Sequence, residues 1–319
     1  MYYKQLTSEQ RSQIFVLLQK RTARKDIASL VGISESTLSR ELKRNSSDAG
    51  HYIWRKANDK AMERRKRTTS NPRKDSIVVW EALDYLQTEQ WSPKQISGYM
   101  LLHDKHISHE LIYQYIRADR TGTLQSHCRH KMKYNRHGRP IRTTKVRNIP
   151  DRISIHDRPV EADGKRLGDW EMDTIIGKNG RGAIVTLTER YTNMLYMEKL
   201  NHGKNPIELA KVVARLLFPF KKDGVLTITT DNGCEFCAHK QISCMLNGVK
   251  VYFADSYCSW QKGAIENANK LIRQYIPKGT DFDDITPAYI KKIQAKINNR
   301  PREKLHFNSP KNVFFQHFI

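Results

Sequence analysis

No stretch of the 319 residues approaches the ~20 consecutive apolar positions that a membrane-spanning helix needs. The first residues, Met-Tyr-Tyr-Lys-Gln-Leu-Thr, contain no apolar core of the kind a signal peptide carries. Cysteine is scarce and odd in number, five in all, which argues against a disulfide framework in so long a chain. Acids are short too: 33 Asp and Glu stand against 56 Lys and Arg, and none lies between Ser126 and Pro150. The expectation is a reduced cytoplasmic protein with no membrane partner and a polyanionic one.

The formal charge of +23 is unevenly spread. Residues 1–150 hold 30 Lys and Arg against 14 acids, whereas residues 151–319 hold 26 against 19. A basic front and a more acidic back point to a nucleic-acid grip joined to something else.

The front reads as short helices. Thr7 and Gln10 have the spacing of a capping box ahead of Ile14, Leu17 and Leu18. A second helix carrying Ile27, Leu30 and Val31 stops at Gly32. Ser34 then caps a third from Glu35 to Arg44, with Leu38 and Leu42 inward. Helix, glycine turn, helix is the helix-turn-helix pattern. On the third helix Ser36, Arg40 and Lys43 share the outer face with Thr37 and Arg44, which suits insertion into a major groove of double-stranded DNA.

The basic run Arg64–Arg67, followed by Thr-Thr-Ser-Asn-Pro, reads as a break. A helix from Ser76 to about Glu89 places Ile77, Trp80 and Leu83 on one side. Ser92 and Pro93 open another, ending near Leu102. A further helix from Ser108 carries Leu111, Ile112, Tyr115 and Ile116, with His109, Glu110 and Tyr113 outward. This pair is either a second helix-turn-helix or a structural pair. Ser126–Pro150, with eight Lys and Arg and with Gly138, Pro140 and Pro150, reads as a basic linker that can follow phosphates.

From Gly168 the pattern changes to strands at 169–176, 183–188 and 194–197. A helix follows Asn205-Pro206, then a strand at 226–231, a helix from about Glu235 to Leu246, a strand at 249–254 and a last helix. That order predicts an α/β domain with a mixed five-stranded sheet. Asp173 lies in its first strand, Asp231 ends the fourth, and Glu266 opens the helix after the fifth. Asp169 and Glu171 share a strand face with Asp173, and Asp255 is a further carboxylate, so alternation alone does not choose among them. Three such oxygen donors suit Mg²⁺ or Mn²⁺, and two ions can serve an in-line phosphoryl displacement.

Three blocks carry a resemblance: Asp-Trp-Glu-Met-Asp-Thr-Ile-Ile-Gly (169–177), Thr-Asp-Asn-Gly-Cys-Glu-Phe (230–236) and Tyr-Cys-Ser-Trp-Gln-Lys-Gly-Ala-Ile-Glu-Asn (257–267). They resemble those of DDE transposases of bacterial insertion sequences, most nearly the IS-thirty family. Ser-Thr-Leu-Ser-Arg-Glu-Leu (36–42), Tyr-Ile-Pro-Lys-Gly-Thr-Asp-Phe (275–282) and Asn-Asn-Arg-Pro-Arg (298–302) are similar to further blocks of that family, so the likeness covers nearly the whole chain. It implies a ribonuclease-H-like, retroviral-integrase-like catalytic domain. It also implies a metal-binding catalytic triad of Asp173, Asp231 and Glu266, the last two separated by 34 residues, with two Mg²⁺ or Mn²⁺ ions. It also picks Arg273 as a contact to DNA near the cleaved phosphate, and Lys270 is expected to help position the DNA backbone.

Cys234, Cys237 and Cys258 depart from the family pattern. With Cys244 and His239 they invite a zinc reading. There is no second close-spaced pair, so structural zinc is not expected, and His127-Cys-Arg-His130 carries still less.

The organisation expected is a helix-turn-helix domain at 1–70, a second helical module at 75–122, a basic linker at 123–160, and an integrase-like core with a C-terminal helical extension at 161–319. The function implied is binding of an element's terminal inverted repeats, then metal-dependent cleavage and strand transfer into target DNA. The working form would be a homodimer or higher oligomer at the bacterial nucleoid. The rivals are a DNA-binding repressor with an inactive core and a nuclease that only hydrolyses.

Overall fold

The computed structural model describes residues 5–47, 49–69, 75–132, 149–256 and 258–319. They fall into two compact units, Met1–Arg73 and Lys74–Ile319. Residues 133–148 of the expected linker lie outside the described residues, as does Tyr257.

The first unit holds α1 (Ser8–Gln19), α2 (Arg24–Val31), α3 (Glu35–Asn45) and α4 (Trp54–Thr69). Thr7 accepts from the Gln10 amide at 3.2 Å and its own amide donates to Gln10 Oε1 at 3.0 Å, so two orphan donors of α1 are satisfied. Gly32, at φ 69°, ψ 35°, ends α2 in the left-handed conformation that glycine adopts without strain. Ser34 Oγ accepts from the Thr37 amide and starts α3. Ile14, Ile27, Val31, Leu38 and Ala57 form the core, while Leu30, one of the apolar residues of α2, is 69% exposed. Inside it Arg11 pairs with Glu41 at 2.9 Å, and the Tyr52 hydroxyl donates to the same carboxylate at 3.1 Å. Helix α4 runs through Arg64–Arg67 to Thr69, where the basic run reads as a break. Ala, Lys, Arg, Glu and Met are strong helix formers, and a basic run with no glycine or proline does not stop a helix anchored by buried Ala57.

The second unit opens with α5 (Ser76–Asp84), which continues as a π turn over Tyr85–Glu89, then α6 (Pro93–Leu101), α7 (His109–Ala118) and α8 (Thr123–His127). Val79, Ala82, Leu86, Trp91, Ile96, Ile112 and Ile116 are buried together. On α5 the buried stripe is Val79, Ala82 and Leu86, whereas Ile77 and Trp80 are 69% and 71% exposed. Two stripes of helical spacing overlap there, and packing selects the one continuous with Leu86. On α7, Tyr113 packs against this core and Tyr115 is exposed, the reverse of the spacing-based reading.

A sheet follows, made of β1 (Ile153–Ser154), β2 (Asp169–Ile176), β3 (Ala183–Glu189), β4 (Leu195–Leu200), β5 (Thr227–Thr230) and β6 (Lys250–Phe253), ordered β1-β6-β5-β2-β3-β4. The β2–β3 and β3–β4 pairs are antiparallel; β2–β5, β5–β6 and β6–β1 are parallel. The described sheet thus has six strands where the pattern predicts five. The extra one is two residues long, too short for any alternation to show, and covers the outer edge of β6. The helices are α9 (Pro206–Leu217), α10 (His239–Met245), α11 (Gly263–Tyr275), α12 (Pro287–Asn299) and α13 (Pro310–Gln316). The helix expected from Glu235 is divided into a 3₁₀ turn at Cys234–Phe236 and α10.

Alternation along β2 divides the domain. Trp170 and Met172 enter a core with Leu209, Val213 and Leu217 of α9. Ile175 joins Ile265, Leu271 and Ile272 of α11 and Ile293 of α12 on the opposite face. Asp169, Glu171 and Asp173 share parity with Ile175, so the acids point to the side where α11 packs. The helical module sits against the C-terminal helices. Arg300 Nη2 donates to the Gln90 carbonyl at 2.9 Å, and Gln274 donates to the His127 carbonyl at 3.3 Å. Gly98 is held to glycine there, because a Cβ would stand 2.3 Å from the Phe307 ring.

Candidate active site

The register of β2 against β5 pairs Glu171 with Thr229, so Asp231 follows β5 where Asp173 continues β2. Glu266 comes from the first turn of α11. All three line one cavity of about 280 Å³, together with Asp255 and Lys262. The sequence-predicted acids are therefore brought to one place by three elements.

Their immediate partners are not one another. Asp231 Oδ2 lies 3.2 Å from the ammonium of Lys262, a side chain only 10% exposed. Asp173 accepts 2.7 Å from Asn269 Nδ2 and 2.8 Å from the Thr174 amide. Glu266 pairs with Lys270 at 2.7 Å, one helical turn on. Among the described residues no three His, Cys, Asp or Glu stand close enough together to hold a metal ion as they are. Burial pushes the Asp173 carboxyl above the usual range; Lys262 opposes this and Asp231 adds to it.

The other acids of the strand face are occupied. Asp169 takes both ends of the Arg166 guanidinium, at 2.8 and 3.1 Å. Glu171 pairs with Arg190 at 3.0 Å and accepts from the Ile265 amide at 2.8 Å. That second bond places a buried carboxylate at the N-terminus of α11, where the exposed amides and the helix dipole favour it, and so sets where Glu266 begins. Burial raises the Glu171 carboxyl despite those bonds. Asp255 is held by Gln261 at 2.8 Å and His156 at 2.9 Å, and these bonds keep it below the usual range.

Asn269 is a partner of Asp173 that sequence reading missed. Its amide bridges Asp173 and Thr186, whose hydroxyl donates to Asn269 Oδ1 at 3.1 Å. The available signal is its place on α11, three residues after Glu266 and on an adjoining face. Arg273 is half-buried and donates to the carbonyls of Ile176 at 3.3 Å and Pro277 at 3.3 Å. Lys270 is exposed apart from its pairing with Glu266.

In the first unit Ser36, Arg40, Lys43 and Arg44 are exposed on α3 and Thr37 is half-buried. Arg40 folds back on Ser36, donating to its carbonyl at 3.1 Å and its hydroxyl at 3.2 Å. Thr37, Arg40 and Arg44 line an open cavity of about 430 Å³ with Arg64 and Arg65 of α4, so the missed helix adds two cations beside α3.

Of the cysteines, Cys234, Cys237 and Cys244 are exposed. His239 is buried edge-on against Phe253, with ring centroids 5.1 Å apart. Among the described residues no helix is long and apolar enough to cross a membrane.

A helix-turn-helix domain model matches residues 2–45. The transposase for insertion sequence element IS4351 of Bacteroides fragilis is 40% identical over 98% of this chain and 96% of its own length. The IS1086 transposase of Cupriavidus metallidurans is 32% identical over 98% and 95%. Transposase InsI of IS30A from Escherichia coli is 31% identical over 97% and 82%. Among solved structures, the catalytic core domain of BIV integrase aligns with a TM-score of 0.37 at 18% identity, over 48% of this chain and 97% of that one. With relatives above 30% identity matched over 82–96% of their lengths, the chain belongs to the insertion-sequence transposases, in the group that includes those of IS4351, IS1086 and IS30A.

Proposed function

We propose that this transposase grips the terminal inverted repeats of its element through α3 and cuts and joins DNA strands at the cavity lined by Asp173, Asp231 and Glu266. The observation that carries the reading is the convergence of three acids from β2, β5 and α11 on one cavity, with the Lys262 cation among them. The donor set is all oxygen, which suits Mg²⁺ or Mn²⁺, and the site already accommodates a positive charge beside Asp231. Asp173, Asp231 and Glu266 would hold the ions, two per site in our reading. Bound divalent ions supply activation of the attacking oxygen and stabilisation of the leaving oxygen.

The chain's own residues do the rest. Asn269 fixes the Asp173 carboxylate, and Glu171 fixes the start of α11. Once Asp231 and Glu266 are engaged, the ammonium groups of Lys262 and Lys270 are free to meet DNA phosphates. Hydrolysis of a phosphodiester at the element end frees a 3′-hydroxyl. That hydroxyl then attacks a target phosphodiester, forming one P–O bond and releasing the target's own 3′-oxygen, without a covalent protein–DNA intermediate. Joining two ends requires at least two protomers on the DNA, acting at the nucleoid in the cytoplasm.

The test is a labelled element-end duplex incubated with a target plasmid, Mg²⁺ and the full chain. A transposase yields 3′-hydroxyl ends and products joined to the plasmid. Cut ends that are never joined would make it a nuclease; bound but uncut ends would make it a repressor.

A further inference from the structure

A second cavity, of about 370 Å³, lies where the helical module meets the C-terminal helices. Its wall includes Arg129 from the segment after α8, Arg300 and Arg302 after α12, and Lys94, Lys304 and Glu303. Five cations thus face one carboxylate. Glu303 is already taken by Lys94, at 2.7 Å, and both are more than half exposed. Lys304 donates to the Arg190 carbonyl at 2.6 Å. Among the described residues Arg129, Arg300 and Arg302 form no ion pair with any acid. Residues 133–148, which follow Arg129 in the chain, contain no acid to supply one.

Three guanidinium groups gathered with no acid paired to any of them, the charge of Glu89 acting on Arg300 without an ion pair, are costly in a folded protein unless an anion joins them. Arg300 is 2% exposed. Its Nη atoms are spent on Gln90, Gln274 and the Tyr275 hydroxyl, which makes it a fixed post rather than a mobile surface chain. The Nε atoms of Arg129, Arg300 and Arg302 are all sealed from solvent without a hydrogen-bond partner. Burial and the neighbouring charges of Arg300 and Arg129 push Arg302 down to about 9, which still leaves it cationic at neutral pH. The planar fork of arginine is the side chain best matched to phosphate oxygens.

The position supplies the occupant. Helix α11 separates the two cavities: Glu266 lines the first, and its neighbour Asn267 lines the second. We infer that the Arg129–Arg300–Arg302 cavity is a binding site for a backbone phosphate of the DNA strand that enters the Asp173–Asp231–Glu266 site. This rests on the DNA-cleaving reading above and adds to it a specific anchor, built jointly by the helical module and the core.

The test compares the full chain with Arg129→Gln and Arg302→Gln. Three readouts are taken: affinity for an element-end duplex across a salt series, phosphate-ethylation interference on that duplex, and melting temperature with and without inorganic phosphate. The site predicts that each variant melts no lower than the parent without ligand, because a like charge has been removed. Each should bind the duplex more weakly, with a log–log salt slope shallower by about 0.9 for one phosphate no longer neutralised. Ethylation at one phosphate should block the parent chain and not the variants. Inorganic phosphate should raise the melting temperature of the parent more than that of either variant.

If both variants keep the parent's slope and interference pattern, the assignment is overturned, and a lowered melting temperature alone would mark the arginines as structural. Stabilisation by inorganic phosphate without any DNA effect would also overturn it, in favour of a free-phosphate site. If the parent itself fails to bind the duplex, it is the DNA reading that fails. The inorganic-phosphate comparison still decides whether the cavity takes the anion.

Discussion

The ammonium of Lys262 sits 3.2 Å from Asp231 Oδ2, in the cavity that Asp173 and Glu266 also line. A cation therefore already stands where the acids gather. Its charge opposes the repulsion that the Asp231 carboxylate exerts on Asp173. Replacing Lys262 with Met should lower the melting temperature of the metal-free protein and tighten Mn²⁺ binding by about tenfold, ~1.4 kcal/mol, since the ion no longer displaces a resident charge. Calorimetric titration with Mn²⁺ measures this directly. Weaker binding would mean that Lys262 assists the ion instead of standing in for it.

Asn269 acts through another residue, holding the Asp173 carboxylate by a 2.7 Å bond while Thr186 holds Asn269. Partners that orient metal ligands are commonly worth about 10- to 100-fold in affinity or activity. Asn269→Ala should reduce end cleavage on that scale and weaken Mn²⁺ binding, with affinity for end DNA unchanged. A drop in DNA affinity instead would place Asn269 against the DNA itself.

On α3 the exposed Arg40 and Lys43 should carry end recognition. The double change to Ala is expected to weaken binding of end DNA by about 10- to 100-fold and leave helical circular dichroism unchanged. The salt slope should fall by about 0.9 for each phosphate that the two side chains neutralise. Unchanged affinity would move recognition elsewhere, Arg64 and Arg65 of α4 being next in line.

Glu235 tests the scaffold behind the site. Burial works to raise its carboxyl, but bonds from Lys204 at 2.8 Å and Thr174 at 2.8 Å outweigh this and hold it below the usual range. A depressed folded-state pKa contributes stability above the unfolded value and loses it as pH falls through the folded one. Glu235→Gln should therefore destabilise by about 1 kcal/mol at neutral pH, a modest figure because Lys204 is 38% exposed to screening solvent. Parent and variant should converge below the ordinary glutamate range of about 4.3. Denaturant melts across pH give the comparison.

What the sequence made legible was local. Caps at Thr7, Ser34 and Ser92 follow directly from residue type and spacing. Alternation placed Asp169, Glu171 and Asp173 on one face of β2. It did not separate the carboxylate lining the cavity from the two consumed by Arg166 and Arg190, because those partners come from a preceding loop and the end of the neighbouring strand. The two-residue β1 has no period to detect, and α4 was hidden by a basic run that resembles a linker. The Arg129, Arg300 and Arg302 cluster joins segments far apart in the chain, and the packing of the helical module against the C-terminal helices brings them together.

The central claim is that the Asp173, Asp231 and Glu266 cavity performs the strand chemistry. Asp231→Asn keeps the shape of one of its walls and removes one negative charge. The decisive measurement is cleavage and joining of a labelled element-end duplex by this variant in Mg²⁺, beside its affinity for the same duplex. Both activities should disappear while end binding stays within about twofold of the parent, a difference below ~0.5 kcal/mol. Cleavage that persists in Asp231→Asn at a rate near the parent's would contradict the account.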